Sequence, residues 1–439
     1  MTKLIIAIII YILSLSVGHA QKKWSLQECV DYALENNVSL KRAKLNTDYS
    51  KEEITIAKAR LLPNVSASAA QNFNVGYKYD HTNPSNNIGI SASMPLYTGG
   101  RNKLLIKQTE KNIELNNLNL ETLQNNISLQ IANNYLNALF NKENIKLAKE
   151  QIAITKIQLN QMKELIDAGV NPRADLFDIK ATLASNNERL TTSKNALDLS
   201  LLNLAQLIQV PSFNFDIQDV SINLDKAILT YSNSNNVYQK AFETRPEIKK
   251  AKLDIEYADL GIKIAKTNLK PSINLSYGLN TNYAYASRDF FGNKNIINNF
   301  GNQYYRNYGH SLGISARYTI FDGKTNLTNI SKAKINKEII EQNLEDEKLR
   351  LRETIERAFL DAKASLKQYE SSISSLKAQE ESFKISQEKY QLGAMNSFDF
   401  DLVKNRLFNS KIAVINAKYN FVFKTKVLDF YYGIPIVIE

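Results

Sequence analysis

Twice along this chain, two short runs of alternating apolar and polar residues lead directly into a very long stretch with no glycine and no proline. The alternating runs cover residues 65–79 and 88–97 in the first instance and 273–285 and 312–321 in the second. The uninterrupted stretches cover 101–168 and 324–392. Proline inside a helix costs about 3 kcal/mol, so its exclusion from stretches of this length is informative. Leu, Ile and Ala recur at three- and four-residue steps, as from Ile127 to Ile131, from Leu136 to Leu139, and from Ile145 to Ala148 to Ile152. That spacing predicts a single long helix with a packing seam against other helices. At 1.5 Å rise per residue each stretch extends about 100 Å.

The alternating runs predict two-faced strands. In the first, Val65, Ala67, Ala69, Phe73, Val75, Tyr77 and Tyr79 oppose Asn64, Ser66, Ser68, Asn72, Asn74 and Lys78. The third run repeats the pattern with Ile273, Leu275, Tyr277 and Leu279 against Ser272, Asn274, Ser276 and Asn280. Small polar residues on one face, apolar ones on the other and tyrosines near the ends fit a transmembrane β-barrel. A soluble sandwich edge alternates in the same way, but it does not lead into helices of this length. Four strands cannot close a barrel, since the smallest transmembrane ones have about eight. An open edge in lipid would leave backbone groups unsatisfied. The expected channel is therefore shared between subunits, with a dimer, trimer or tetramer supplying about 8, 12 or 16 strands.

The chain is internally duplicated. Residues 33–63 align on 241–271 at a constant offset of 208, with 13 of 31 positions identical, among them Ala33/Ala241, Tyr49/Tyr257 and Pro63/Pro271. From Gly89 onward the offset is 224: Gly89-Ile90-Ser91-Ala92 matches Gly313-Ile314-Ser315-Ala316, Gly169 matches Gly393 and Asp175 matches Asp399. The lone 16-residue change falls between the two strands, giving the second copy a longer loop over residues 286–308. Insertions collect where backbone is solvent-exposed, so this end of the hairpin is expected to be free. The first repeat is expected over residues 21–231, with strands at about 64–79 and 87–98, a long helix at 101–168 and a return helix at 172–208. The second is expected over 232–439, with strands at 272–286 and 310–322, a long helix at 324–392 and a return helix at 397–431. Each long helix is flanked by shorter ones whose combined length nearly matches it, so stacked short helices would line the long one and form a tube wall.

Residues 1–20 have the pattern of an export signal: Lys3, an apolar core at 4–17 and a Gly18-His19-Ala20 cleavage site. A run of 14 residues is short for a spanning helix, which needs about 20. Cys29 is the only cysteine and is expected to be a small buried apolar residue. The formal charge is +11, but basic and acidic residues are interspersed, and no basic patch with aromatics predicts nucleic-acid binding. His81 and His310 fall in expected loops. There is no His/Cys cluster, phosphate loop or nucleophile motif, so no catalytic, metal or cofactor site is expected. Ser25-Leu26-Gln27-Glu28 is a capping box that opens the first mature helix.

Three segments resemble the TolC-type outer-membrane efflux family. They are the N-terminal Trp24-Ser25-Leu26-Gln27-Glu28 through Ala33-Leu34-Glu35-Asn36-Asn37, the junction Met94-Pro95-Leu96-Tyr97-Thr98-Gly99-Gly100-Arg101, and the turn Gly393-Ala394-Met395-Asn396-Ser397-Phe398-Asp399-Phe400-Asp401-Leu402. The resemblance covers essentially the whole mature chain. It implies a mixed α and β membrane protein: an antiparallel α-helical coiled-coil barrel across the periplasm, joined to a transmembrane β-barrel of 12 strands shared by a homotrimer. It further implies an exit duct in the outer membrane for a tripartite efflux pump or type I secretion system. The partners it implies are a periplasmic adaptor and an inner-membrane transporter of the resistance-nodulation-division or ABC type. The family's periplasmic constriction maps onto Asp175 and Asp399, with Asp178 at a second acidic position. In the second copy that position is Leu402, with Asp401 beside it. The adaptor-contact tips map onto Gly169, Val170 and Asn171 and onto Gly393, Ala394 and Met395. From the residues alone, first-turn helix capping is the favoured role of Asp175 and Asp399; with the resemblance added, capping and the constriction weigh equally. A coiled-coil stalk or adhesin anchored by strands is the competing architecture, but it has no need of paired half-length helices.

Overall fold

The computed structural model describes residues 22–74, 83–220, 227–284, 287–288, 294–295 and 300–436. The expected export signal, the strand end at 75–79 and His81 lie outside the described residues. The first copy comprises β1 (Lys23–Trp24), α1 (Leu26–Asn36), α2 (Val38–Ala59), β2 (Asn64–Asn74), β3 (Asn83–Tyr97), α3 (Arg101–Asp167), α4 (Arg173–Ile208) and β4 (Asp216–Ile217). The second comprises α5 (Ser234–Thr244), α6 (Pro246–Thr267), β5 (Ser272–Ala284), β6 (Ser287–Arg288), β7 (Lys294–Asn295), α7 (Phe300–Arg306), β8 (Gly309–Arg317), α8 (Thr325–Gln391) and α9 (Ser397–Tyr432).

The helices of the two copies have equal lengths. α1 and α5 have 11 residues each, α2 and α6 have 22, α3 and α8 have 67, and α4 and α9 have 36. The first two pairs start 208 positions apart and the last two 224 apart. Local chemistry sets the ends. Ser25 Oγ accepts from the Glu28 N–H at 3.1 Å while Glu28 Oε2 accepts from the Ser25 N–H at 2.8 Å, a reciprocal cap that starts α1. Asn37 ends α1 and opens α2, its Oδ1 accepting from the Ser39 N–H at 2.9 Å. In the second copy Pro246 opens α6, where its missing N–H costs nothing.

By contacts the chain forms two compact units that cut across the sequence repeats. One contains the described residues up to Ala43, Asn119–Lys249 and those from Glu347 onward. Its core is built twice from equivalent positions. Cys29, Ala33, Leu40, Ile131, Ala138 and Leu204 are fully or almost fully buried, and so are their counterparts Val237, Ala241, Ile248, Ile355, Ala362 and Leu428. Cys29 thus occupies the place of a valine, and burial pushes its thiol up to about 12. Tyr135 is buried with its hydroxyl donating to the carbonyls of Trp24 (3.2 Å) and Gln218 (3.3 Å), beside the parallel β1–β4 pair.

The other unit, Lys44–Leu118 with Lys250–Asp346, holds an antiparallel sheet in the order β2-β3-β5-β8. The β3–β5 ladder joins the two repeats, and β2 and β8 are the edges. The register sorts the side chains over most of the sheet; His310, expected in a loop, lies instead in β8 on the apolar face, opposite Leu279. Ala67 lies opposite Ile90, Ile90 opposite Leu279, and Leu275 opposite both Met94 and Ile314. Ser66 lies opposite Ser91, Ser91 opposite Gly278, and Ser276 opposite Gly313. One face is therefore aliphatic and aromatic, the other Ser, Asn and Gly.

Three further expectations need correction. β8 stops at Arg317 rather than 322, because its neighbour among the described residues, β5, begins at Ser272. Pro271 precedes that residue and has no N–H to extend the ladder, so Tyr318, Ile320 and Phe321 lie exposed outside the sheet. β3 begins at Asn83 rather than 87, since β2 pairs with it as far as Asn74. The second-copy stretch expected as a longer strand-to-strand loop contains α7; the Gln303 side chain holds it by bonding the Ala284 N–H and C=O, both at 3.0 Å.

Candidate functional site

The site candidates cluster at the two helix–helix turns, α3 to α4 and α8 to α9. Both turns have the same backbone chemistry. Gly169 has φ +75° and Gly393 φ +72°, the left-handed conformation that favours glycine after a helix. The Val170 N–H bonds the Leu165 carbonyl at 2.8 Å, and the Ala394 N–H bonds the Lys389 carbonyl at 2.8 Å. Each satisfies a carbonyl that the ending helix would otherwise leave open. A side chain at either glycine would meet open space, so the backbone conformation alone selects glycine. Val170 and Ala394 are exposed, and Asn171 and Met395 half-buried.

The helix starts differ. Asn396 caps α9: its Oδ1 accepts from the Asp399 N–H at 2.8 Å, and its Nδ2 donates to Asp399 Oδ2 at 2.8 Å. The α4 start has Pro172 at the capping position with no side-chain cap, and Asn171 Nδ2 donates to Asp175 Oδ2 at 3.0 Å. Asp399 and Asp178 are exposed and Asp175 half-buried. Both Asp175 and Asp399 lie in a first helical turn, where a carboxylate opposes the helix dipole.

Asp401 is placed differently from the other three carboxylates. It is held by Lys404 Nζ at 2.5 Å and accepts from Thr182 Oγ1 of α4 at 3.1 Å. Lys404 is 2 % exposed and also donates to Gln158 Oε1 of α3 at 2.6 Å. Nearby, the Asn186 amide donates to Thr155 Oγ1 at 3.0 Å and Thr155 donates to the Gln151 carbonyl at 3.0 Å. Polar groups from α3, α4 and α9 thus bond to one another where apolar packing would otherwise run. Beside them, Tyr390 stacks on Phe400 at 4.6 Å. Burial pushes the Tyr390 phenol above its ordinary range, and the nearby carboxylates of Asp401 and Asp175 add to this.

This network was not read from the sequence. Its one signal was a lysine inside an apolar i, i+4, i+8 row, Phe400, Lys404 and Phe408, with an acid three residues earlier. Among the described residues no group of His, Cys, Asp or Glu is arranged to hold a metal ion, and no helix is long and apolar enough to cross a membrane.

The family model for outer membrane efflux proteins matches residues 29–209 and 237–431, most of the chain. The chain belongs to this family. It is similar to the outer membrane protein TolC of Vibrio cholerae, at 21 % identity over 91 % of this chain and 88 % of that protein. Among solved structures, a membrane protein from Pseudomonas aeruginosa shares the fold with a TM-score of 0.75 at 16 % identity, covering 94 % of this chain and 90 % of the other. The CmeC outer membrane channel of Campylobacter jejuni does so with a TM-score of 0.73 at 18 % identity, covering 94 % and 87 %. The protein is thus an outer-membrane efflux protein with the fold of these neighbours.

Proposed function

We propose that the protein is the passive exit duct of a tripartite efflux pump or a type I secretion system, working as a homotrimer. The observation that carries this reading is the sheet: four strands, one apolar face, one polar face and two open edges, β2 and β8. Three copies bring about 12 strands, enough to close a barrel with its small polar residues lining water. α3 and α8 then continue the wall through the periplasm for about 100 Å each.

The chain carries no constellation for coupling to ATP or an ion gradient, so energy comes from an inner-membrane transporter, with an adaptor between the two. The turns between long and return helices suit that docking, because Val170 (67 % exposed), Leu392 (84 %) and Phe398 (77 %) are apolar residues left in solvent. Asp399, Asp175 and Asp178 are assigned to a ring of carboxylates that narrows and charges the periplasmic entrance. Asp401, paired with Lys404, serves instead to hold α9 against α3 and α4.

Planar-bilayer recording tests the duct. Purified protein is expected to give discrete long-lived conductance steps that divalent cations block from one side. Absence of any conductance from a correctly folded, membrane-inserted sample would contradict it. Asp399→Asn is expected to change the step size and weaken the block; if neither moves, Asp399 is a helix cap only.

A further inference from the structure

The 16-residue insertion in the second copy places a short helix, α7, on the face of the sheet read above as lipid-facing. The strand register fixes the face. Thr281 lies opposite Ile88, and Tyr283 lies opposite Asn86, so all four point the same way as Ile90 and Leu279. α7 is fastened to this face at three points. Thr281 Oγ1 donates to the Tyr304 carbonyl at 2.7 Å, and Tyr304 Oη donates to Asn86 Oδ1 at 2.5 Å. Phe300 lies 5.2 Å from Tyr283, ring to ring. Just after the helix, Asn307 Nδ2 donates to the Asn282 carbonyl at 2.8 Å. These contacts lie on β5 and, through Tyr304, reach β3, both inner strands of the sheet.

The level at which α7 sits is marked by the sheet. Along the apolar face the aliphatic rows give way, toward the end reached by α7, to Gln71, Asn86 and Thr281. Amide and hydroxyl side chains are costly in hydrocarbon and suit the headgroup layer. α7 lies over two of these three groups. Its outward residues combine rings with a cation: Tyr305 is 85 % exposed, Phe300 is 55 % exposed, and Arg306 is also exposed. Aromatic rings and a long basic side chain are what a bilayer interface selects, the rings at headgroup depth and the guanidinium reaching phosphate.

We propose that α7 is an interfacial anchor that rests in the phosphate-bearing headgroup layer around the barrel, with Phe300 and Tyr305 seated among the lipids. The proposal rests on the apolar face being the lipid face, and the experiment separates the two. A nitroxide is placed at Tyr305→Cys, Ile90→Cys or Ser232→Cys; the buried Cys29 stays unlabelled in the folded protein. Ile90 marks the body of the apolar face and Ser232 an exposed loop of the other unit. In vesicles of phosphatidylethanolamine and phosphatidylglycerol, collision rates with oxygen and with a neutral nickel chelate report depth. The expected order of the oxygen-to-nickel ratio is Ile90 highest, Tyr305 several-fold lower, and Ser232 several-fold lower again. A Tyr305 label that matches Ser232, with Ile90 in hydrocarbon, overturns the anchor alone. An Ile90 label that reads as water overturns the face assignment and the anchor with it.

Discussion

The two helix–helix turns start from the same sequence pattern and arrive at different chemistry. At offset 224, Asp401 corresponds to Phe177 and Lys404 to Lys180. In the first copy Lys180 is exposed, with its ammonium 5.3 Å from the exposed Phe177 ring. In the second, Lys404 is buried and bonded to Asp401 and Gln158. Near the turns the return helices also bury different residues. α4 buries Ile179, whereas α9 buries Phe400, Lys404 and Phe408, whose first-copy counterparts 176, 180 and 184 are not buried; farther along, Asn186 and Ser410 are buried alike. A shift of one residue turns a helix by about 100°. Duplicated sequence therefore gives duplicated length and turn geometry, while the packing of each return helix next to its turn is its own.

The largest expected effect separates the two lysines. Lys404→Met strands Gln158 and leaves Asp401 with Thr182 alone, and should lower unfolding free energy by about 3 kcal/mol. Lys180→Met should stay within about 0.5 kcal/mol. Denaturant melts in detergent would show this, and equal effects would erase the asymmetry. Next come Gly169→Ala and Gly393→Ala, each expected to cost about 1–2 kcal/mol through the left-handed backbone. Because both sites open onto empty space, the two values should agree; a large difference would mean that the turns are not equivalent. Smallest is the cap. Asn396→Ala should cost about 1 kcal/mol. Asn171→Ala should cost only a few tenths, since Asn171 bonds a side chain and caps no backbone N–H.

Much of this was legible in the residues. The absence of proline and glycine marked both 67-residue helices to within a residue at each end, because Gly100, Gly169, Gly323 and Gly393 beside those ends all take the left-handed backbone. Period-two alternation marked which face of each strand is apolar, because a pleated strand has only two sides. The end of β8 was not legible, since strand length depends on the neighbour and β5 begins only at Ser272. α7 was hidden for a similar reason: its hold on the sheet comes from Gln303, Tyr304 and Asn307 meeting strand groups that no local pattern reveals. At the turns, Gly169 and Gly393 could be read from local chemistry. The partners of Lys404 could not, since they come from two other helices.

The central claim is that no single copy completes the channel, because the sheet has one apolar face and two unpaired edges. Native mass spectrometry of the detergent-extracted protein tests this directly. The account predicts a complex of three chains that survives removal of the detergent micelle. A stable monomer that still inserts into bilayers and conducts would contradict it.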